Sequence, residues 1–143
     1  MPVRMVLLSR KGLLAIAAVI DVALHGKGRP VSAKALALRH NLPARHLEPV
    51  LQALVRVGIL RGIRGPHGGY ELARERRRIT ADDILRAAGT IEEPDQVESG
   101  SPLLHHIVQP AVAQAERAFS TALSRINVED LARRAEPYRD AST

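Results

Sequence analysis

A mainly α-helical fold carrying one small β-hairpin is predicted by three features of this chain. Apolar residues recur every three or four positions through several capped segments, the signature of helices with one buried face. Residues 58–70 read GILRGIRGPHGGY, two short apolar pieces around a glycine-rich loop, which is the pattern of a hairpin. Aromatic residues make up only 2% of the 143 residues while hydrophobic ones make up 45%, so the core is built from Leu, Ile, Val and Ala.

Ser9 is placed to cap a first helix running to about Leu24, with Gly26 and Gly28 ending it. Its expected buried stripe is Leu13, Ile16, Ala17, Ile20, Ala23 and Leu24. The basic residues Arg4, Arg10 and Lys11 before this apolar run imitate a secretory leader. The run is too short to span a bilayer and Asp21 interrupts it, so a core helix is expected. Ser32 caps a short second helix over Ala33 to Arg39, and Asn41-Leu42-Pro43 forms a turn. A third helix is expected from Ala44 to Val57, with Leu47, Val50, Leu51, Leu54 and Val57 inward and Gly58 just beyond its end. The hairpin follows over Leu60–Leu72.

Helix, short helix, tight turn, helix, hairpin is the order of a winged helix-turn-helix, in which the third helix enters the major groove of DNA. Beyond it, Thr80 and Asp83 mark the start of a short helix ending at Gly89. Residues 91–101 are acidic and broken by Pro94 and Gly100, a loop or linker. Ser101 and Pro102 open a long helix whose apolar seam runs from Leu104 to Ile126, and Pro110 is expected to kink it or remove a hydrogen bond. Asn127 and Asp130 begin a short terminal helix. The expected organisation is a DNA-binding domain over 1–90, an acidic loop over 91–101, and a dimerisation helix with a short terminal helix over 102–143.

Charge follows this division. Residues 1–90 hold 16 Lys/Arg against 6 Asp/Glu, and residues 91–143 hold 5 against 9. A basic front half suits a nucleic-acid face. Near the start of the third helix, Arg45 and His46 are placed to reach bases or phosphates, and Glu48 can accept from a cytosine amino group. Arg56 and Arg61 suit phosphate contacts. The hairpin tip, with Arg64, Gly65, His67 and Gly68, has the shape to grip a phosphate backbone and probe a groove. Pro49 leaves open where the regular third helix begins, because it removes a hydrogen bond to the Arg45 carbonyl.

These residues resemble the Rrf-two family of winged-helix transcription regulators, which includes iron–sulfur cluster, nitric-oxide-sensing and cysteine-metabolism regulators. The matching pieces are Ser9-Arg10-Lys11-Gly12, Ala15 with Asp21-Val22-Ala23-Leu24, Leu47-Glu48, and above all Arg64-Gly65-Pro66-His67-Gly68-Gly69-Tyr70 followed by Leu72 and Ala73. The resemblance implies a homodimeric, sequence-specific regulator on a pseudo-palindromic site in double-stranded DNA, most simply a repressor, and the absence of cysteine makes a reducing cytoplasm the expected compartment. It also implies that Arg64 enters the minor groove beside the wing, where a narrow groove concentrates negative potential.

Two departures qualify the resemblance. The family commonly has a polar side chain at the position of Pro49. Cluster-binding relatives place cysteines in the loop corresponding to residues 91–101, and this chain has no cysteine. His105 falls near a further ligand position, but one His cannot hold a cluster without thiolates. No cofactor and no metal site is therefore expected. His105 and His106 diverge on their helix, and Glu92, Glu93, Asp95 and Glu98 read as a solvated loop. A small-molecule or protein effector near the loop remains open. An RNA- or ribosome-associated winged-helix module is the alternative, disfavoured because the chain offers only Phe119, Tyr70 and Tyr138 for base stacking. An enzyme is not expected, since no nucleophile–base set or Walker-type loop is present.

Overall fold

A computed structural model describes residues 9–89 and 101–139. The chain runs α1 (Arg10–His25), α2 (Ala33–Arg39), α3 (Ala44–Arg56), β1 (Leu60–Ile63), β2 (Gly69–Leu72), a 3-10 turn at Arg76–Arg78, and α4 (Ala81–Ala88). After the acidic loop, most of which lies outside the described residues, come a π-helical turn (Leu104–Val108), α5 (Gln109–Leu123), α6 (Val128–Ala135) and a 3-10 turn at Glu136–Tyr138.

Caps set most of these boundaries. The Ser9 hydroxyl accepts from the Gly12 amide, the Ser32 hydroxyl from Ala35, and the Asn127 side chain from Asp130. Thr80 and Asp83 exchange side-chain and backbone hydrogen bonds in a full capping box. Ser101 accepts from the Leu104 amide at 3.1 Å, so the predicted start of the long helix holds. Helix α3 ends one residue earlier than expected: Val57 is its C-cap and is 36% exposed rather than inward, while Ala53 is buried in its place. Gly58 follows at φ 80°, the left-handed position that stops the helix.

The first helix corrects the predicted stripe. Leu13 is exposed, and Ile16, Ala17 and Ile20 are only half-buried; the fully buried line is Ala15, Ala18, Val19 and Val22, continuing to Ala23 and Leu24. Almost every position from Leu13 to Leu24 is apolar, so periodicity alone could not choose the face. The packing did: α1 lies at the centre and meets α3, α4, α6 and β2 on different sides. Leu36 of α2, Leu47, Leu51 and Leu54 of α3, Ile59, Leu60, Ile79 and Ile84 close the core around it.

The terminal helix returns to this body. Val128 and Ala132 of α6 are in the core, and the Val128 amide donates to the Ile79 carbonyl while Ala81 donates to Ile126. Between α4 and α6 stands α5, which buries none of its residues. Pro110 acts just ahead of its own position: Gln109 donates to the Leu104 carbonyl, five residues back, in the π turn. A widened turn just ahead of a proline relieves the clash that its ring makes with the carbonyl four residues back in a regular helix, which here is that of His106. No helix among the described residues is long and apolar enough to cross a membrane.

Candidate nucleic-acid interface

Helix α3 has one buried face and one exposed polar face. Leu47, Val50, Leu51, Ala53 and Leu54 face the core, while Arg45, His46, Glu48, Pro49, Gln52 and Arg56 are exposed. At 3.6 residues per turn, Arg45, Pro49, Gln52 and Arg56 form one outward line. The helix passes through Pro49 without interruption from Ala44, and the Arg45 carbonyl that loses its partner lies on the exposed side. Pro43 precedes it as an N-cap that supplies no side-chain hydrogen bond. Gln52 escaped the sequence analysis; its signal was the seven-residue spacing from Arg45 on the polar face.

The wing is an antiparallel pair with Leu60 opposite Leu72 and Ile63 opposite Gly69. Its tip is a tight turn in which the Gly68 amide donates to the Gly65 carbonyl across Pro66 and His67. Proline presets the φ that the second turn position needs. Gly69 stands at φ 155°, and a Cβ there would sit 2.5 Å from the Val31 backbone. That approach is required because Val31 and Tyr70 exchange two backbone hydrogen bonds of 2.8 Å, which tie the wing to the loop before α2. The glycine pair at the end of the GPHGG loop thus serves anchoring as well as turning.

The basic side chains divide by whether the fold already uses them. Arg74 donates to the Val57 and Gly58 carbonyls, capping the end of α3, and Arg76 donates to the Ala23 carbonyl. Arg61 pairs with Glu71 across the hairpin at 2.6 Å, so it reaches a phosphate only by leaving or sharing that carboxylate. By contrast, Arg45, His46, Glu48, Arg56, Arg64 and His67 make no side-chain hydrogen bond or ion pair with other described residues. All six are exposed, and Gly65 lies exposed between the last two, with Gly68 half-buried behind them.

Asp21 is a buried charged group behind this face; in the sequence it stood out as an interruption of an apolar run and as part of the family-like Asp21-Val22-Ala23-Leu24. It is 6% exposed on α1. Arg39, the last residue of α2, grips its carboxylate with Nε at 2.9 Å and Nη2 at 2.7 Å, and His40 Nε2 lies 3.0 Å away. Burial alone would raise the Asp21 pKa, but the hydrogen bonds from His40 and Arg39, with the charges of Arg39 and His25, outweigh it and lower it from 3.8 to about 2. The pairing fastens the end of α2, and hence the turn into α3, to the central helix.

Comparisons with known proteins agree with this geometry. Residues 8–134 match the Rrf2 (Rrf-two) family, described as an iron-dependent transcriptional regulator. The chain is similar to the HTH-type transcriptional regulator CymR of Bacillus subtilis, at 33% identity over 127 residues, covering 87% of this chain and 88% of that protein. It is also similar to the HTH-type transcriptional regulator IscR of Xenorhabdus nematophila, at 28% identity, covering 90% of this chain and 80% of that one. Among solved structures, IscR of T. potens superposes with a TM-score of 0.70 at 29% identity, covering 95% and 93% of the two chains. These relatives are transcriptional regulators, not enzymes. An iron–sulfur cluster held by thiolates does not fit a chain without cysteine. The chain lacks cysteine, and the described residues contain no cluster of three His, Asp or Glu side chains able to hold a metal. With an exposed recognition helix, an anchored wing and this likeness, the chain is a DNA-binding transcriptional regulator of the Rrf2 family, and a member without cysteine.

Proposed function

We propose that the protein acts in the cytoplasm as a homodimer on a pseudo-palindromic operator, repressing transcription by occluding the promoter, and that it does so without an iron–sulfur cluster. The carrying observation is the set of exposed, uncommitted side chains on α3 and the wing tip. Arg45, His46, Glu48 and Gln52 suit base edges in the major groove, Arg56 suits phosphates, as does Arg61 once it shares or leaves Glu71, and Arg64 with Gly65, His67 and Gly68 suits the minor groove.

The second copy is supported by the long helix. Leu103, Ile107, Val108 and Val112 are 66%, 61%, 44% and 58% exposed, a run of large apolar side chains that a single chain leaves in water. A matching helix from a second chain would cover them, and a two-fold pair of recognition helices calls for a two-fold operator. The absence of thiolates supports a signal other than cluster chemistry, such as a small molecule or a protein.

Selection of duplexes from a random library, followed by sedimentation of the free chain and its complex, tests this reading. A recurrent palindrome bound by two copies is expected. Equal affinity for random duplex and for structured RNA at matched salt would overturn it. Binding of the selected duplex is expected to be unchanged by chelator.

A further inference from the structure

His25 ends α1 one turn after Asp21, and both of its ring nitrogens face oxygen acceptors. Nδ1 lies 3.1 Å from the Asp21 carbonyl oxygen and 3.2 Å from Asp21 Oδ1. Nε2 lies 3.0 Å from the carbonyl oxygen of Arg139, beyond the last 3-10 turn. A neutral imidazole carries one N–H, so it can satisfy one side and must turn a lone pair towards oxygen on the other. Only the imidazolium donates to both. The ring therefore bridges two remote parts of the chain in one protonation state and releases one of them in the other.

What lies at the Asp21 end gives that bridge a consequence. Asp21 also holds Arg39 and His40 at the end of α2. Asn41, at φ 53°, Leu42 and Pro43 then lead directly into α3. The other charged groups at this joint are Arg76, whose guanidinium donates to the Ala23 carbonyl, and Glu136, which pairs with Arg139 at 3.3 Å. No carboxylate other than Asp21 bonds to His25, Arg39 or His40 among the described residues.

We propose that Asp21 and His25 form a protonation-linked positioning joint: Asp21 sets the seat of the recognition helix through Arg39 and His40, and the His25 imidazolium locks that seat to the C-terminal turn. The inference rests on α3 being the DNA-reading helix. When His25 loses its proton, either the Arg139 carbonyl or the Asp21 oxygens lose a donor. Either way the bridge between the Asp21 site and the C-terminal turn opens, the seat of α3 is no longer tied to that turn, and operator affinity falls. His25 and Asp21 act through other residues and touch no DNA.

The test uses the full chain and the duplex it selects from a random library. His46 and His67 at the interface and His40 on the Asp21 carboxylate are also imidazoles, so all three are replaced (H40Q, H46Q, H67Q) in every protein compared. Affinity for the duplex is followed from pH 6 to 8.5 at constant salt. The parent is expected to lose affinity about 3- to 10-fold as pH rises, the worth of one hydrogen bond. His25→Gln should give a flat profile close to the parent's high-pH limb. An enriched duplex whose pH profile is the same in parent and H25Q overturns the joint alone. Failure to enrich any duplex overturns the DNA reading beneath it. A readout independent of DNA and of mutation is the ring ¹⁵N spectrum of the free chain on the tight-binding limb. Two protonated nitrogens at His25 are expected, and a single-proton tautomer there would overturn the proposal.

Discussion

The central body and the long helix α5 are made of the same kinds of residue and end up in opposite situations. Helices α1, α3, α4 and α6 each bury several apolar side chains against one another. Helix α5 buries none, although its seam of Ala, Val, Leu and Phe is as continuous as any in the chain. The difference lies in neighbours. Burial requires a facing surface, and α5 is bonded to the body near its end, where Ser120 donates to Asp82 at 2.5 Å and Arg86 joins both. An apolar stripe predicts that a helix has something to cover; it does not say whether the cover comes from the same chain.

Replacing Ile107 and Val112 together by Asp breaks that comparison most strongly. Neither side chain supports the core, so the body's thermal stability should hold. The proposed dimer should dissociate in sedimentation, and affinity for the selected duplex should fall by about 100-fold or more as bivalent engagement is lost. A dimer that survives both charges would assign the interface elsewhere. Leu54→Ala sharpens the same contrast from inside the body. The residue is fully buried, and its truncation should cost about 2–5 kcal/mol in denaturant unfolding. Val112→Ala, measured at concentrations where the chain is monomeric, should change stability by less than about 0.5 kcal/mol.

The next effect concerns Asp21, the one charged residue buried among the described residues. The folded Asp21 pKa lies near 2, below its ordinary 3.8, so its ionised form stabilises the fold above that ordinary value and the contribution disappears as pH falls through the folded value. The shift corresponds to about 2 kcal/mol. Asp21→Asn should be less stable than the parent by about that amount near neutrality, and the gap between their melting temperatures should close between about pH 4 and pH 2. A gap that persists to pH 2 would place the loss in packing rather than in charge. Smaller still is Arg64→Ala. It should weaken duplex binding by about 1–2 kcal/mol and reduce the salt slope by about one ion, with no change in melting temperature. An unchanged slope would remove Arg64 from the groove.

Much of the body was legible because caps and turns are local. Ser9, Ser32, Thr80, Ser101 and Asn127 each bond to an amide three residues on, so sequence spacing alone locates the helix starts. The face of α1 was not legible, since Ala15, Val19 and Val22 compete with Leu13, Ile16 and Ile20 on a helix apolar almost all round. Only the partners α3, α4 and α6 decide it. At the interface, Arg45, His46, Glu48, Arg56, Arg64 and His67 were readable as exposed polar groups on a helix and loop. The engagement of Arg61 by Glu71 follows from hairpin register, and the service of Arg74 and Arg76 as backbone caps follows from tertiary distance. Asp21 shows the limit most clearly. Its partner Arg39 lies 18 residues away and its link to Arg139 runs through His25, contacts that no local pattern encodes.

Pro110 carries the smallest expected effect and separates local from partner-imposed structure within α5 itself. A proline at this point removes an amide that would bond to His106 and crowds that carbonyl, and the π turn at Leu104–Val108 relieves the crowding. Most of the proline's cost has therefore already been removed by the widened turn. Pro110→Ala should return the segment to α-helix and gain little beyond one exposed hydrogen bond, about 0.5–1 kcal/mol, seen as slowed amide exchange at residue 110. Losing the π turn also rotates Leu104 and Ile107 about the helix axis relative to Val112, because one residue fewer is accommodated per turn. Dimerisation should weaken even as the monomer becomes slightly more stable. A variant that gains in both would mean that the π turn exists for the proline alone, and that the seam covering α5 begins beyond it.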